Sequence, residues 1–434
     1  YADVWKRFQE EFKGHGYTSI SRFPVVARWN PTMEYTIASI ASFQPFVVSG
    51  EAKPPAKKLV IPQFCLRFGD VDNVGVTMSH MTGFVMIGQH QFVEPQEWDQ
   101  NKAFEEIFLW LTKGLGLAKE DITFHEDAWA GGGNFGPCME YFSRGVELGN
   151  QVYMMFEQDD SAKNGFKELS LKVLDMGMGH ERNAWFSQAV PTIYDATFPF
   201  VMKKLEEASG VTLDKEFIKQ YVPHGAYLNL DEVEDISLAW TEVAKKMGVS
   251  VEMLREKLEP ATALYSIAEH ARSLLFALAD GALPSNVGGG YNLRMILRRA
   301  LQFIDKHKWN IDLNDVCAWH ATELEDVFPE LQAHLNDVYR IIESEEKKYV
   351  ENRKRNKQLI ATQLQKGTPD IDTMLKLYDS QGVSPDEINQ YAKENELPLI
   401  DIPDNFYSLV AQRQQQKEQE NKTKRKELIA VKED

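Results

Sequence analysis

The sequence predicts an α+β protein in which an antiparallel sheet flanked by helices precedes an all-helical region. Three observations carry this. Residues 1–205 alternate aromatic and β-branched runs with turn residues, residues 206–412 read mostly as amphipathic helices, and the strand-like runs lack regular βαβ spacing. The expected organisation is therefore a first domain over 1–205, a helical domain over 206–412 and a charged tail over 413–434. No internal repeat is visible.

The elements follow in order. Lys58 to Phe68 alternates as a strand, with Leu59, Ile61, Gln63, Cys65 and Arg67 on one face. Asp70, Asp72, Asn73 and Gly75 supply a loop, and His80 to Phe92 is placed to return antiparallel. Further strands are expected at Asn150 to Phe156 and Leu169 to Leu174. In the second half, Leu264, Ile267, Ala271, Leu274, Leu275 and Leu278 recur at helical spacing, and Gly281 with Pro284 stops that helix. Asn286 to Gly290 then reads as a flexible connector. The next helix turns Leu293, Ile296, Leu297 and Ala300 inward and leaves a basic face with Arg294, Arg298 and Arg299. A long helix from about Leu331 to Gln365 carries a second positive stretch, including Arg353 and Arg355. The segment from Arg413 reads as a solvated tail or solitary helix.

With 434 residues and 43% hydrophobic content the chain can form two or three cores. Its three cysteines contain no CxxC, which argues against a disulfide framework or a structural zinc module. No run approaches the roughly 18 apolar residues of a membrane span, and Tyr1 to Arg7 has no signal-peptide core, so a cytoplasmic location is expected. The net charge of -17 disfavours nonspecific adhesion to nucleic acid, so an RNA partner must be met by a local basic patch.

Three constellations could carry chemistry. Asp175 to Arg182 (DMGMGHER) follows a strand-like run and opens an apparent helix. Glycines there let a ligand approach the backbone, and Arg182 could hold a phosphate with two hydrogen bonds. A plain tight turn, with Asp175 as a cap, is the other reading. Arg67 must face solvent or meet an anion, since burying it unpaired is costly. Phe84, on the returning strand, is either a core ring or a stacking surface for a base. Trp129 to Glu140 (WAGGGNFGPCME) is either a pocket wall or a surface loop. The templates GxxxxGK[ST], HExxH and GxSxG are absent.

Taken in order, RFPVVARW, TIASIASFQPFVVSG, CLRFGDVDNVG, EDAWAGGGNFGPCME, DMGMGHER, ADGALPSNVGGGYNLRMILRRAL, LKLYDSQGVSP and IPDNFYSLVAQR resemble class II aminoacyl-tRNA synthetases, in detail the alanyl-tRNA synthetases of the archaeal type. The similarity covers nearly the whole chain. It implies a six-stranded antiparallel class II sheet and a helical tRNA-recognition domain. It also implies ATP with Mg²⁺, whose ligands it leaves unnamed, and alanine and its tRNA as partners. By the same resemblance Arg67 holds the ATP α-phosphate and the amino-acid carboxylate. Phe84 stacks on adenine, Gly177 and Gly179 line the nucleotide, and Arg182 holds the γ-phosphate; Arg67 and Arg182 are the catalytic groups. Asp175 binds the ammonium of alanine, with Trp129, Asn150 and Val152 shaping a methyl-sized pocket. Asn286 and Asp379 match the positions that read the acceptor-stem G·U pair, while Arg294, Arg298 and Arg299 hold phosphates.

The reaction this implies is attack of the alanine carboxylate on the α-phosphorus, then acyl transfer to tRNA, with catalysis by positioning and charge. One departure bears on it. Where the family has RHxTxFEM, this chain reads Ser79-His80-Met81-Thr82-Gly83-Phe84-Val85-Met86, without two charged side chains. The alternative reading is thus a noncatalytic tRNA-binding paralogue with a degenerate second motif. Family members also continue into an editing domain. For this stretch alone, a pocket worth only about 1 to 3 kcal/mol per methylene or hydroxyl is expected to mischarge glycine and serine.

Overall fold

The computed structural model describes residues 1–31, 33–230 and 232–417; of the expected charged tail, residues 418–434 lie outside the described residues. The chain forms two compact units. The first comprises Tyr1–Leu66 and Gly83–Thr197, the second Arg67–Thr82 with the chain from Phe198 onward.

In the first unit, the strands are β1 (Thr18–Ser19), β2 (Lys58–Leu66), β3 (Gly83–Val93), β4 (Ile122–Gly131), β5 (Asn134–Ser143), β6 (Val146–Gln158) and β7 (Phe166–Gly179). They form one sheet in the order β1-β2-β3-β7-β6-β5-β4. All neighbours are antiparallel except β1, which runs parallel to β2. The resemblance implied six strands; the seventh is this two-residue edge piece. The expected pairing of the β2 and β3 segments is found, with Cys65 opposite Phe84 and Leu59 opposite His90.

Both faces of β2 are covered, so its alternation does not separate a wet face from a dry one. One face meets α1 (Ala2–Gly14) and α2 (Gln100–Leu109). Tyr17 donates to Glu106 at 2.7 Å, and Gln151 donates to the Ala103 carbonyl at 3.1 Å. The other face packs Leu59, Ile61, Phe92, Met154 and Val173 against Ile40, Phe43 and Val48. Helix α3 (His180–Gln188) starts directly from β7 and is followed by α4 (Ile193–Thr197).

The glycine run at 131–133 is not a loose loop. Gly132 and Gly133 are the two-residue turn joining β4 to β5, at φ of 59° and 84°, the left-handed geometry a tight hairpin demands. Gln44 ties this hairpin down, donating to Asn134 Oδ1 at 2.7 Å and to the Gly131 carbonyl at 3.1 Å.

The second unit is helical: α5 (Pro199–Ser209), α6 (Lys215–Gly225), α7 (Ile236–Met247), α8 (Val251–Ala279), α9 (Gly288–His307), α10 (Leu313–Glu323), α11 (Glu330–Lys366), α12 (Ile371–Gln381), α13 (Pro385–Glu394) and a helix over 406–417. Side-chain caps start several of them: Asp214, Asp235, Ser250, Asp312, Asp370 and Ser384 each accept a first-turn backbone N–H. Helix α8 is the axis of the unit, buried without interruption from Ala263 to Leu278. The Arg67–Thr82 segment is built into this helical unit. Thr82 donates from its backbone and hydroxyl to the buried Glu269 carboxylate at 2.6 and 2.8 Å. Tyr221 donates to the Val76 carbonyl at 2.6 Å, and Thr262 to that of Gly75 at 2.9 Å.

Two expectations for this half are corrected. Gly288 to Gly290 form the first turn of α9 rather than a connector, leaving only Asn286 and Val287 outside the helix. The basic face of α9 is not an exposed one. Arg299 is 8% exposed and pairs with buried Asp72 at 2.9 Å, because its position points at the Arg67–Thr82 segment. Arg294 is half-buried and chelates Glu345 at 2.8 and 3.0 Å. Among the described residues, no helix is long and apolar enough to cross a membrane.

Candidate functional site

Strand register places most of the predicted site residues of the first unit on one face of the sheet. Leu59, His90, Asp175, Val152, Cys138 and Asp127 are successive cross-strand partners, forming a row from β2 to β4. The adjacent row is Ile61, Gly88, Gly177, Asn150, Glu140 and His125. Gln63, Met86 and Gly179 make the next, and Cys65 with Phe84 the last. Trp129 is in phase with Asp127 on β4 and packs against the Ile40–Phe43 cluster.

Gly177 and Gly179 are strand residues, which corrects the tight-turn reading of the DMGMGHER motif; β7 runs straight into α3. The glycines Gly88 and Gly177 are paired in the middle of the sheet face, and neighbouring side chains fill the space a Cβ would take at each. A Cβ on Gly88 would come within 2.6 Å of Ser39 Oγ, and one on Gly177 within 2.7 Å of Met86 Sδ. At Gly179 a Cβ would stand 3.4 Å from the Arg182 Cβ, an ordinary contact, so packing against α3 does not demand a glycine there.

Asp175 is 6% exposed, and burial lifts its carboxyl to about 7. His90 Nδ1 stands 3.4 Å from Asp175 Oδ1, and His90 Nε2 is 3.1 Å from Ser39 Oγ. Burial pushes this imidazole down to about 3, so it is neutral and cannot compensate the carboxylate. The chain Ser39–His90–Asp175 has the order of a nucleophilic triad, but Ser39 is wholly buried and His90 Nδ1 makes no hydrogen bond, so it is not one. Asn150 adds a buried amide oxygen without a hydrogen-bond partner.

Arg182 is exposed at the first turn of α3 and pairs with Glu147 at 2.7 Å. Its neighbour Glu181 is buried and accepts the Val85 N–H through both oxygens at 3.0 Å. That carboxylate continues the pairing of β3 beyond the end of β7 and so fixes the strand end that bears half-buried Phe84. Val85 itself is fully buried and alternates to the opposite face from Phe84, where a charged side chain would enter the core. Arg67, in the second unit, is exposed and donates its backbone N–H to the Thr82 carbonyl at 2.8 Å. At the far edge of the sheet, His125, Asp127 and Glu140 bring three potential ligand atoms within 4.8 Å of one another, all on partly or fully exposed side chains.

A second cluster lies wholly within the helical unit. Asn286 and Asp379 line a common cavity of 390 Å³ with Arg294 and Arg298. Asn286 accepts from Arg294. Asp379 accepts from Tyr291 at 2.9 Å, from Lys417 at 2.8 Å and from Gln414 at 3.4 Å. Arg299 does not line this cavity.

Sequence reasoning missed His90, Ser39, Glu181 and Tyr291. Each reads as an ordinary core or polar residue until the register or the helix packing sets it beside a predicted one.

The residues of the chain and this sheet define a class. A family model described as tRNA synthetases class II (A) matches residues 3–434, and the chain belongs to that family. It is similar to the alanine–tRNA ligase of Methanocella arvoryzae, with 46% identity over 416 residues, covering 95% of this chain and 47% of that protein. It is 39% identical over 409 residues to that of Nitrosopumilus maritimus, covering 94% of this chain and 45% of that protein. With that of Methanococcus maripaludis it shares 36% over 441 residues, 99% of this chain and 49% of that protein. The chain thus spans about half the length of the curated relatives it matches. Among solved structures, pyrrolysyl-tRNA synthetase from Desulfitobacterium hafniense is similar at a TM-score of 0.31 and 11% identity, covering 44% of this chain and 71% of that one.

Proposed function

We propose that the chain activates alanine with ATP and transfers it to the 3′ end of the cognate tRNA, the helical unit recognising the RNA. The observation that carries this is the sheet face on which Asp175, buried yet acidic, borders paired glycines. The half-buried Gly177 and Gly179 let a nucleotide lie against the sheet, with its purine against Phe84. The Asp175 carboxylate takes the α-ammonium group, and Trp129, Asn150 and Val152 shape the pocket for the methyl side chain. Names of the relatives, all alanine–tRNA ligases, support the choice of amino acid.

In this reading the alanine carboxylate attacks the α-phosphorus in line, pyrophosphate leaves, and the acyl group passes to the terminal adenosine. No protein nucleophile is needed. Arg67 holds the α-phosphate, Arg182 holds the γ-phosphate after exchanging Glu147 for it, and both stabilise charge that builds in the transition state. Mg²⁺ would supply further charge on the phosphates. His125, Asp127 and Glu140 are a poor fit for that ion, which prefers an all-oxygen shell with retained water; no step is assigned to them. A cytoplasmic location accords with this role.

Asn286 and Asp379 are proposed to read the G·U pair of the acceptor stem. Asp379 is held by Tyr291 and Lys417, so contact with a base edge exchanges Lys417 or Gln414 for the RNA.

The test is ATP–pyrophosphate exchange with alanine, glycine and serine, followed by charging of alanine tRNA. Alanine-dependent exchange above the other two supports the assignment. Absence of exchange, with RNA binding retained, would contradict it and leave only a binding module. In the same pair of assays, Asp379→Ala is expected to lower charging at least tenfold more than it lowers exchange, about 1.4 kcal/mol of discrimination. Normal charging by that variant would remove Asp379 from the interface.

A further inference from the structure

The segment that begins at Arg67 takes its shape from residues far away in sequence. Ser408 donates its hydroxyl to the Gly69 carbonyl at 2.9 Å, Arg299 holds Asp72, Asn73 donates to Asn229 at 3.0 Å, and Ser266 donates to the Val74 carbonyl at 3.3 Å. These contacts fasten its middle. Its two ends close on each other, the Arg67 N–H donating to the Thr82 carbonyl at 2.8 Å.

That closing bond is held from α8. Glu269 is fully buried, and its Oε1 accepts the Thr82 N–H at 2.6 Å, the Thr82 hydroxyl at 2.8 Å and the Ser273 hydroxyl at 3.1 Å. His270 Nδ1 stands 2.7 Å from Glu269 Oε2, and burial pushes that imidazole down, so it meets the carboxylate as a neutral N–H donor. Taking a carboxylate out of water is costly, and an apolar pair at 82 and 269 would pack without that cost. What the carboxylate adds is geometry. Charge-assisted bonds to both the backbone and the side chain of Thr82 leave it a single orientation, and so fix the direction in which its carbonyl meets Arg67.

We propose that Glu269 is a positioning residue for Arg67 in amino-acid activation: by clamping Thr82 it sets the backbone that carries the guanidinium assigned to the α-phosphate. The proposal rests on that assignment of Arg67 and adds to it Glu269 and Thr82, neither of which touches substrate. Arg67 has an exposed side chain, so its backbone must supply the precision. Displacing a preorganised group by about 1 Å can cost about a hundredfold in rate.

The test is steady-state pyrophosphate exchange by the full chain with Thr82→Val and Glu269→Gln, each made in the parent and in an Arg67→Ala background. Valine keeps the shape of threonine and removes the hydroxyl; glutamine keeps the size of glutamate and removes the charge. In the parent each is expected to lower kcat about tenfold, with KM for alanine within about twofold. Where Arg67 is already alanine, the further loss should be less than about twofold, because the clamp acts through the arginine. Thr82→Ser, which keeps both donors, should restore the parent rate. A merely structural role lowers exchange by the same factor in both backgrounds, through the amount of folded protein, and that result would overturn the proposal. Parent-like exchange in Thr82→Val and Glu269→Gln, beside a large loss in Arg67→Ala, would overturn it too while leaving Arg67 in its own role. Absence of alanine-dependent exchange in the parent would overturn both the clamp and the reading of function beneath it. Where Glu269→Gln melts below the assay temperature, Thr82→Val decides.

Discussion

Asp175→Asn is expected to reduce alanine-dependent pyrophosphate exchange by about 10²- to 10³-fold, the loss of one charge-assisted contact in a dry site, about 3 to 4 kcal/mol. The same substitution should not weaken the fold at alkaline pH. Burial raises the Asp175 carboxyl from the ordinary 3.8 to about 7. Between those values the unfolded chain has released its proton and the folded one has not, so stability falls as pH rises through that window. An asparagine carries no such charge. At pH 8 the variant should therefore melt at or above the parent, by an upper bound of about 4 kcal/mol, whereas at pH 4 the two should coincide. Buried, neutral His90 contributes equally to both proteins and cancels. Thermal melts at the two pH values, beside the exchange assay, separate a binding carboxylate from a structural one; a variant that is both inactive and less stable at pH 8 would speak for structure. In the parent, alanine affinity should rise as pH increases through about 7, because only the carboxylate attracts the ammonium.

Arg182→Ala should cost a comparable factor, about 10² to 10³ in exchange rate, through loss of a preorganised cation at the triphosphate. The stability effect should be small. Arg182 is exposed, and its ion pair with Glu147 at 2.7 Å is a surface one, a kind that contributes little. Glu147→Ala serves as the control. It removes the partner without removing the cation, so exchange should persist in that variant. Equal loss in both variants would show that the pair, rather than the arginine, matters.

The antiparallel pairing of β2 with β3 was legible because alternation and an intervening loop are local signals, and the long α8, α9 and α11 were legible from helical spacing. The family motifs made Asp175 and Arg182 stand out. What sequence could not supply was register. His90 reads as a core histidine in an apolar strand until pairing sets it opposite Asp175, and Glu181 reads as a first-turn acid until it is seen to cap the end of β3. Gly177 and Gly179 misled in the other direction: a GxG before a helix suggests a turn, yet β7 continues through both because β3 pairs with them. Arg299 shows why a charged helix face is ambiguous. Its partner Asp72 lies more than two hundred positions away and folds into the same unit, so the charge is spent internally. The Arg67–Thr82 segment joins the helical unit for a comparable reason, since its anchor Glu269 is remote in sequence and signals nothing locally.

On the proposed function, one sheet face binds an aminoacyl nucleotide. Crystals of the chain soaked with the sulfamoyl analogue of alanyl-adenylate test it most directly. The ligand ammonium is expected within hydrogen-bond distance of Asp175 Oδ1 or Oδ2, the purine against Phe84 and the ribose over Gly177. An analogue bound elsewhere, or on this face with its ammonium turned away from Asp175, would contradict it.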